Sequence, residues 1–283
     1  MNLINLFAEI EAKDPSGSAE LNNRREMVKT FTGKAGRIAL AALPFAIGSL
    51  FQKAYAGGGP STSIVLGVLN DALKLEYLEQ EFYNTGLQKS NLIPSTAEFD
   101  IIAGILKHEQ DHVAILQSTI QSLGGTPAAS PKFDFTCGNG NGHGPFADVF
   151  SSYETFLALA QVLEDTGVRA YKGQFSTLLQ GGPLLTLAFD IHSVEARHAS
   201  IIRQFRYSRA FATIKPWITL NDPGLSSNFT AVYDGEDNTV QGGVEIIDIN
   251  GNNLNNEAAS EAFDEPLSSD SVQEILKPFL ASN

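Results

Sequence analysis

The chain has 283 residues, enough for one large domain or two smaller ones, and its 43% apolar and 18% charged content is typical of a globular protein. Its net charge of −13 repels phosphate backbones, so we expect no nucleic acid among its partners. The single cysteine, Cys137, excludes an intrachain disulfide and a cysteine-based metal site.

The first segment, 1–56, is predicted to be a signal. Arg24-Arg25 comes before an apolar stretch from Ile38 to Phe51 and a small-residue end at 54–56, which is typical of a secretory signal and resembles a twin-arginine signal. We therefore predict export to the periplasm, with no stable membrane span after processing, because the apolar stretch is short for a span. An uncleaved membrane anchor or a buried N-terminal helix is the alternative.

The segment 57–212 is predicted to be a bundle of four helices. Apolar residues recur at helical spacing, and Gly and Pro residues interrupt that spacing, so that the helices are expected at about 62–89, 96–123, 145–179 and 184–212. The first two helices and the last two are joined by only a few residues, so each pair is predicted to be an antiparallel hairpin. A connector of about 22 residues, at 124–145, is long enough to cross the bundle between the hairpins.

The helical spacing is lost in the last segment, 213–283. Val244 to Ile249 could be a short strand, and Ser271 is expected to cap a last short helix. We predict an extension packed on the bundle, because few apolar residues are present for a separate core; a small independent domain is the alternative.

A short motif, Glu-x-x-His, occurs twice in the predicted bundle, at Glu109 to His112 and at Glu195 to His198. A Leu-Glu pair lies about thirty residues before each copy. In both cases a Tyr comes seven residues after the Glu of this pair. These upstream residues are Glu76 with Tyr83 and Glu164 with Tyr171. The repeat predicts two similar helix pairs that place four carboxylates and two imidazoles in one core.

The residue types and their spacing suit two metal ions. Positions i and i+3 of a helix face nearly the same point, so each motif presents a carboxylate and an imidazole together. Four negative charges roughly balance two divalent cations, and oxygen and nitrogen donors favour iron or manganese. We predict two Fe or two Mn ions, with no catalytic residue beyond their ligands, which are Glu76, Glu109, His112, Glu164, Glu195 and His198. A buried hydrogen-bond network without metal is the alternative.

Two further glutamates on the first helix, Glu79 and Glu81, compete with Glu76. The internal repeat selects Glu76, because Glu79 aligns with Gly167 and Glu81 with Arg169. Glu79 could still reach the edge of the site.

Four other side chains near the motifs have two readings. Tyr83 and Tyr171 could each donate a hydrogen bond to a ligand carboxylate on another helix, or could simply pack in the core. His108 and His192 could each donate a hydrogen bond to a ligand of the site, but the favoured interpretation is that each is an ordinary surface or partly buried histidine.

Taken together, the two motifs and the two Leu-Glu segments before them resemble a known family. Leu75-Glu-Tyr-Leu-Glu-Gln-Glu-Phe-Tyr83, His108-Glu-Gln-Asp-His112, Leu163-Glu-Asp-Thr-Gly-Val-Arg-Ala-Tyr171 and Val194-Glu-Ala-Arg-His198 are similar to the exported ferritin-like domain proteins of the desiccation-related type. The resemblance covers about 62–280, and the ligand pattern is also similar to rubrerythrins and manganese catalases. It implies an all-α, ferritin-like four-helix bundle with a long crossover, and the same six ligands.

The functional hypothesis is a dinuclear, carboxylate-bridged metal site that carries out redox chemistry on O2 or peroxide in envelope stress defence. Such an oxidoreductase would act as a peroxidase, a catalase or a ferroxidase. The alternatives are a non-enzymatic stress or binding protein with a structural metal site, and an iron store. The expected partner is a small-molecule oxidant, and a homo-oligomer is left open.

Overall fold

Four long helices form the core of the computed structural model, which describes residues 61–178, 182–222, 224–225, 227–251 and 254–281. The helices are α1 (Thr62–Leu87), α2 (Thr96–Ser122), α3 (Tyr153–Leu178) and α4 (Pro183–Ser208). The helices of each hairpin, α1 with α2 and α3 with α4, pack along each other, and α1 also packs on α3. The predicted fold class, an all-α bundle with a long crossover and an irregular C-terminal region, is confirmed. The predicted signal, 1–56, lies outside the described residues.

The third helix begins later than the sequence predicts. Residues 145–151 are turns rather than helix, and they still bury Phe146 and Val149. The helix begins at Tyr153 because the hydroxyl of Ser152 accepts a hydrogen bond from the backbone N–H of Thr155 at 3.2 Å. The prediction that this helix starts near Pro145 is therefore wrong.

The fourth helix ends at Ser208, four residues before the predicted end. Ala210 adopts a positive φ of 56°, and the N–H of Phe211 returns to the carbonyl of Arg206 at 2.9 Å. A left-handed residue followed by such a bond is the usual way in which a helix terminates.

The start of α2 lacks the capping box that the residue types at Ser95 and Glu98 predict. Ser95 and Glu98 have the spacing of a capping box, but the Ser95 side chain makes no capping hydrogen bond. Glu98 instead accepts hydrogen bonds from Nε and Nη2 of Arg209, at 3.0 and 2.7 Å. The carboxylate thus joins the start of α2 to the end of α4.

The crossover between α2 and α3 is organised by Asp134. Its carboxylate accepts hydrogen bonds from the backbone N–H groups of Thr136, Gly140 and Gly142, at 3.0, 2.8 and 3.1 Å. The backbone N–H of Asp134 donates to the carbonyl of Phe279 at 2.6 Å. The crossover is therefore bonded to the far end of the C-terminal extension.

The elements of the extension are short in the part of it that the structure describes. They are a 3-10 turn (Ser227–Val232), a two-stranded hairpin of β1 (Val240–Gln241) and β2 (Val244–Glu245), a second 3-10 turn (Ile249–Gly251), α5 (Asn256–Ser260), α6 (Ser269–Leu276) and a last 3-10 turn (Lys277–Phe279). The strand expected from Val244 to Ile249 is shorter than predicted. Ser268, rather than Ser271, caps α6 by accepting the N–H of Ser271 at 3.1 Å. No helix of the described ranges is long and apolar enough to cross a membrane.

A buried arginine of α3, Arg169, holds the extension on the bundle. Its guanidinium donates to the backbone carbonyls of Val232, Asp234 and Glu265 and forms an ion pair with Glu236, with Nε 2.6 Å from Oε1. Both charged side chains are only 1% exposed. Such a pair costs free energy to desolvate, and its loss on one side leaves an uncompensated buried charge.

We expect Arg169→Met to lower the free energy of unfolding by about 3–5 kcal/mol, because Glu236 would stay buried without its partner. Chemical denaturation measures the change. Adding Glu236→Gln should restore part of the loss. The control Lys277→Ala, which breaks an exposed pair with Glu274, should cost less than about 1 kcal/mol. Equal losses in the two single variants would contradict this account of Arg169.

Candidate metal centre

The six residues selected from the repeated motif meet in the middle of the bundle. All four long helices contribute, and all six side chains are buried. Their ligand atoms form two groups in which every atom lies within 4.8 Å of the others: Glu76, Glu109, His112 and Glu195, and Glu109, Glu164, Glu195 and His198. Two glutamates, Glu109 and Glu195, belong to both groups. A carboxylate has two oxygens, so these two residues stand where they could bridge a pair of cations.

The two imidazoles point the same nitrogen into the cluster. Nδ1 of His112 lies 3.1 Å from Oε2 of Glu76, 3.0 Å from Oε2 of Glu109 and 3.1 Å from Oε1 of Glu195. Nδ1 of His198 lies 2.9 Å from Oε1 of Glu109. One nitrogen can donate only one hydrogen, so a proton cannot serve all three oxygens around His112. Ligands about 2.1 Å from one metal and at right angles to each other are about 3.0 Å apart, which matches this spacing.

The clustered charges change the pKa values of the buried groups. Burial, followed by repulsion from neighbouring glutamates, raises the pKa of Glu195 well above its ordinary value. Burial also raises the pKa of Glu109 to about 7. Burial alone would lower the pKa of His198, but Glu164 and Glu109 raise it to about 11. In the protein without metal, the cluster therefore retains protons at neutral pH.

A seventh buried residue with a side chain that can bind metal, Glu79, also faces the cluster. It is 1% exposed, and neither of its carboxylate oxygens has a hydrogen-bond partner within the described part of the chain. Burial and repulsion from Glu195, Glu164 and the other site carboxylates raise its pKa strongly. The sequence prediction allowed this side chain to reach the edge of the site, and in the structure it lies buried beside the cluster but belongs to neither of the two groups of ligand atoms.

A glycine makes the room for Glu79. A Cβ atom on Gly167 would lie 3.3 Å from Oε1 of Glu79 and 2.9 Å from Oε2 of Glu195. The internal repeat pairs Glu79 with Gly167, and this exchange of a large residue for a glycine is the one signal in the sequence for the position of Glu79. The small residue in one half of the repeat leaves the space that the large residue in the other half fills.

The two tyrosines connect the halves of the site. Tyr83 on α1 donates a hydrogen bond to Oε1 of Glu164 on α3, and Tyr171 on α3 donates one to Oε1 of Glu76 on α1. Burial, followed by the charge of the accepting carboxylate, raises the pKa of both phenols well above the ordinary value. Both therefore stay protonated and keep the two carboxylates oriented. Of the two readings of these tyrosines, the structure shows the contact with a site carboxylate.

The profile of the ferritin-like domain family matches residues 65–208, which is just over half of the chain and spans α1 to α4. The chain belongs to the ferritin-like domain family. No curated protein matches the chain. The resemblance to the desiccation-related type stays a prediction from the sequence.

The ferritin-like bundle is a fold that holds two metals between its helices, and the residues present here fit such a pair. Both carboxylate oxygens of Glu79 and Oε2 of Glu195 lack a hydrogen-bond partner within the described residues. Unsatisfied polar atoms are costly in a buried site, and cations would satisfy them. The ferritin-like core can therefore hold metal through its buried acidic and imidazole groups.

An exposed histidine, His108, contacts this ferritin-like centre from outside. Its Nδ1 lies 2.9 Å from Nε2 of His198, and the two rings are nearly parallel with centroids 5.2 Å apart. If His198 held a metal, its Nε2 would carry the hydrogen and donate it to Nδ1 of His108, which would hold the imidazole in place. His192, by contrast, has its Nδ1 2.9 Å from the carbonyl oxygen of Val168 and lies outside the cluster.

Metal binding to the ferritin-like core is expected to release protons. Since the pKa values of Glu109, Glu195 and His198 are raised, protons bound in the metal-free protein at pH 7 must leave when cations bind, and metal affinity should fall as the pH falls. Titration calorimetry of the metal-free protein with Mn²⁺, in buffers of different protonation enthalpy, measures the release. We expect at least about two protons per chain. Heats that do not depend on the buffer would contradict the pKa directions.

The space beside Gly167 is expected to be essential for metal binding. In Gly167→Ala the added methyl group would displace the carboxylates of Glu195 and Glu79, and we expect the affinity for Mn²⁺ or Fe²⁺ to fall by about 10–100-fold. The matched control is Gly104→Ala on α2, where a Cβ has no heavy atom within 4 Å. This control should keep its metal affinity and gain up to about 1 kcal/mol of helix stability. A similar metal affinity in both variants would refute the role of the glycine.

Proposed function

We propose that the protein holds two iron or two manganese ions in the core of the bundle and carries out redox chemistry on dioxygen or peroxide. The observation that carries this proposal is the pair of overlapping four-residue groups that share Glu109 and Glu195. Two binding positions with two common carboxylates suit a dinuclear centre, and the mixed oxygen and nitrogen donors favour iron or manganese.

Each residue has a definite place in this arrangement. Glu76 and His112 would hold one ion, Glu164 and His198 would hold the other, and Glu109 with Glu195 would hold both. When bound, the metal pair would supply or accept the electrons exchanged with the oxidant. Once cations displace its proton, the carboxylate of Glu79 would add negative charge, which favours the higher oxidation states.

The surrounding residues would keep this site ordered and dry. Tyr83 and Tyr171 hold the carboxylates of Glu164 and Glu76 on opposite helices, so neither carboxylate rotates freely. His108 would fix the outer nitrogen of His198. Burial of the whole cluster keeps bulk water away and strengthens each electrostatic contact.

We also propose that the protein is exported and acts in stress defence of the cell envelope, as its resemblance to the desiccation-related proteins implies. Support comes from Arg24-Arg25 and the apolar stretch that follows in the sequence. Twin-arginine export carries folded proteins, so metal could be loaded before export. Dioxygen or peroxide would be the small-molecule partner.

A second function, a structural metal clip without turnover, is favoured by one observation. Four ligand carboxylates and Glu79 share a single buried volume, so bound cations would stabilise the fold by relieving their repulsion. The clip and the redox enzyme need the same ligands, and only turnover separates them.

Elemental analysis of freshly purified protein tests the centre, with an expected content of about two Fe or Mn per chain. Glu109→Gln, which keeps the volume of the side chain, and His198→Ala should each lower the metal content and abolish turnover of O2 or peroxide. The control Glu274→Ala, at an exposed carboxylate of α6, should change neither.

Three outcomes separate the possibilities. Metal content unchanged in Glu109→Gln and His198→Ala would exclude the site. Two metal equivalents without turnover, with a large fall in melting temperature on chelation, would identify the clip instead of the enzyme. Iron loading far above two per chain would point to storage.

A further inference from the structure

A small cavity lies inside the bundle, next to the candidate metal centre. Side chains of all four long helices and of α6 surround it, and its walls are mainly aliphatic; they include Leu69, Ala72, Leu116, Ala170, Leu184 and Ala188. Its polar lining residues apart from Tyr171 are Asp71, Gln174 and Ser269, none of which is buried. Nε2 of Gln174 donates to Oγ of Ser269 at 3.0 Å, in an exposed position. The polar groups therefore mark an outer rim, and the interior is apolar.

Tyr171 contacts both this cavity and the metal centre. Tyr171 lines the cavity, and its hydroxyl donates a hydrogen bond to Oε1 of Glu76. Leu75, which also lines the cavity, directly precedes Glu76 in α1. A molecule in the cavity would thus be in contact with the residue that orients a site carboxylate.

The size and the polarity of the cavity restrict what it can hold. Its volume is about 30 Å³, which is room for about two water-sized molecules. Water is disfavoured there, because it needs two to four polar partners and aliphatic walls offer none. Hydrogen peroxide meets the same difficulty, since its O–H groups would lose hydrogen bonds to water without replacement. A small apolar molecule loses nothing on entering.

We propose that this cavity binds dioxygen and that dioxygen is the oxidant of the neighbouring centre. The role as oxidant rests on the proposed redox function, whereas the binding of a small apolar molecule does not. In the reaction, one O2 takes up two electrons and two protons and becomes hydrogen peroxide, while two divalent ions each lose one electron. The cavity concentrates the apolar reactant beside Tyr171, and the polar side of the site, at His108, remains for water and peroxide.

Xenon is the probe for the cavity itself, because it is apolar and has a suitable size. We expect ¹²⁹Xe NMR, and diffraction from crystals under xenon pressure, to place xenon between Ala72, Ala170 and Ala188 in the metal-free and the metal-loaded protein. In Ala188→Leu the added side chain should fill the volume and weaken xenon binding by about tenfold or more. Ala72→Val is a milder second variant in case the first one packs poorly. The control is Ala97→Leu, at an exposed position of α2, which should bind xenon as the wild type does.

Oxidation kinetics test the identity of the oxidant. In the Fe²⁺-loaded protein, Ala188→Leu should slow oxidation by O2 by about tenfold, in parallel with its weaker xenon binding, and leave oxidation by hydrogen peroxide unchanged. The melting temperature and metal content of each variant must match the control, so that a general defect is recognised.

The outcomes are distinct from those that test the metal centre. Absence of xenon from the cavity would overturn the binding site, even if two metal equivalents are present. Xenon binding with an unchanged O2 rate in Ala188→Leu, or equal slowing by O2 and peroxide, would overturn the assignment of dioxygen. Absence of metal would remove the proposed function but leave the xenon result standing.

Discussion

The structure depends on the burial of mutually repelling carboxylates in one core. Glu76, Glu79, Glu109, Glu164 and Glu195 are all nearly inaccessible to solvent, and the imidazoles of His112 and His198 lie among them. Desolvation and repulsion both oppose this arrangement, and it is tolerable only when protons or cations compensate the charge. The raised pKa values of Glu79, Glu109 and Glu195 mean that bound protons compensate part of this charge. Each imidazole Nδ1 faces more carboxylate oxygens than its single hydrogen can bond, and cations could compensate the rest of the charge.

The remainder of the fold protects this core unequally on its different sides. Helix α3 is buried along nearly all of its middle section, because the C-terminal extension covers the face that the bundle leaves free. Arg169 and Arg203 of the bundle bind carbonyls and carboxylates there, including Asp165, whose Oδ2 is 2.5 Å from Nη2 of Arg203. On the side of α2 and α4, by contrast, the exposed ring of His108 lies against His198, with its Nδ1 2.9 Å from Nε2 of His198.

The sequence predicted those features that depend on periodicity, and it missed those that depend on space between helices. Glu109 and His112 could be assigned because residues i and i+3 share a helix face, and the repeat extended this reasoning to the other helices. The position of Glu79 depends on the missing side chain of Gly167 on a different helix. The repeat aligns these two residues, but an alignment does not show that they share one space in the core. The expected capping box at Ser95 failed for a similar reason, because Arg209, distant in sequence, takes the carboxylate of Glu98. Rules based on neighbouring residues predict a helix end well unless a charged residue distant in sequence binds the side chain that would form the cap.

The backbone bonds between the crossover and the C-terminal extension have a consequence for biosynthesis. Besides the bond from Asp134 to Phe279, the N–H of Ala281 donates to the carbonyl of Lys132 at 2.9 Å, and Phe133 forms a β-bridge with Leu280. These contacts close a loop of nearly 150 residues that contains α3 and α4. A ribosome that has completed both hairpins has still not produced the partner of the crossover, so the native state forms only after residue 281 has emerged. Contacts of such long range slow folding, and a nascent chain would expose its unpaired crossover throughout that interval.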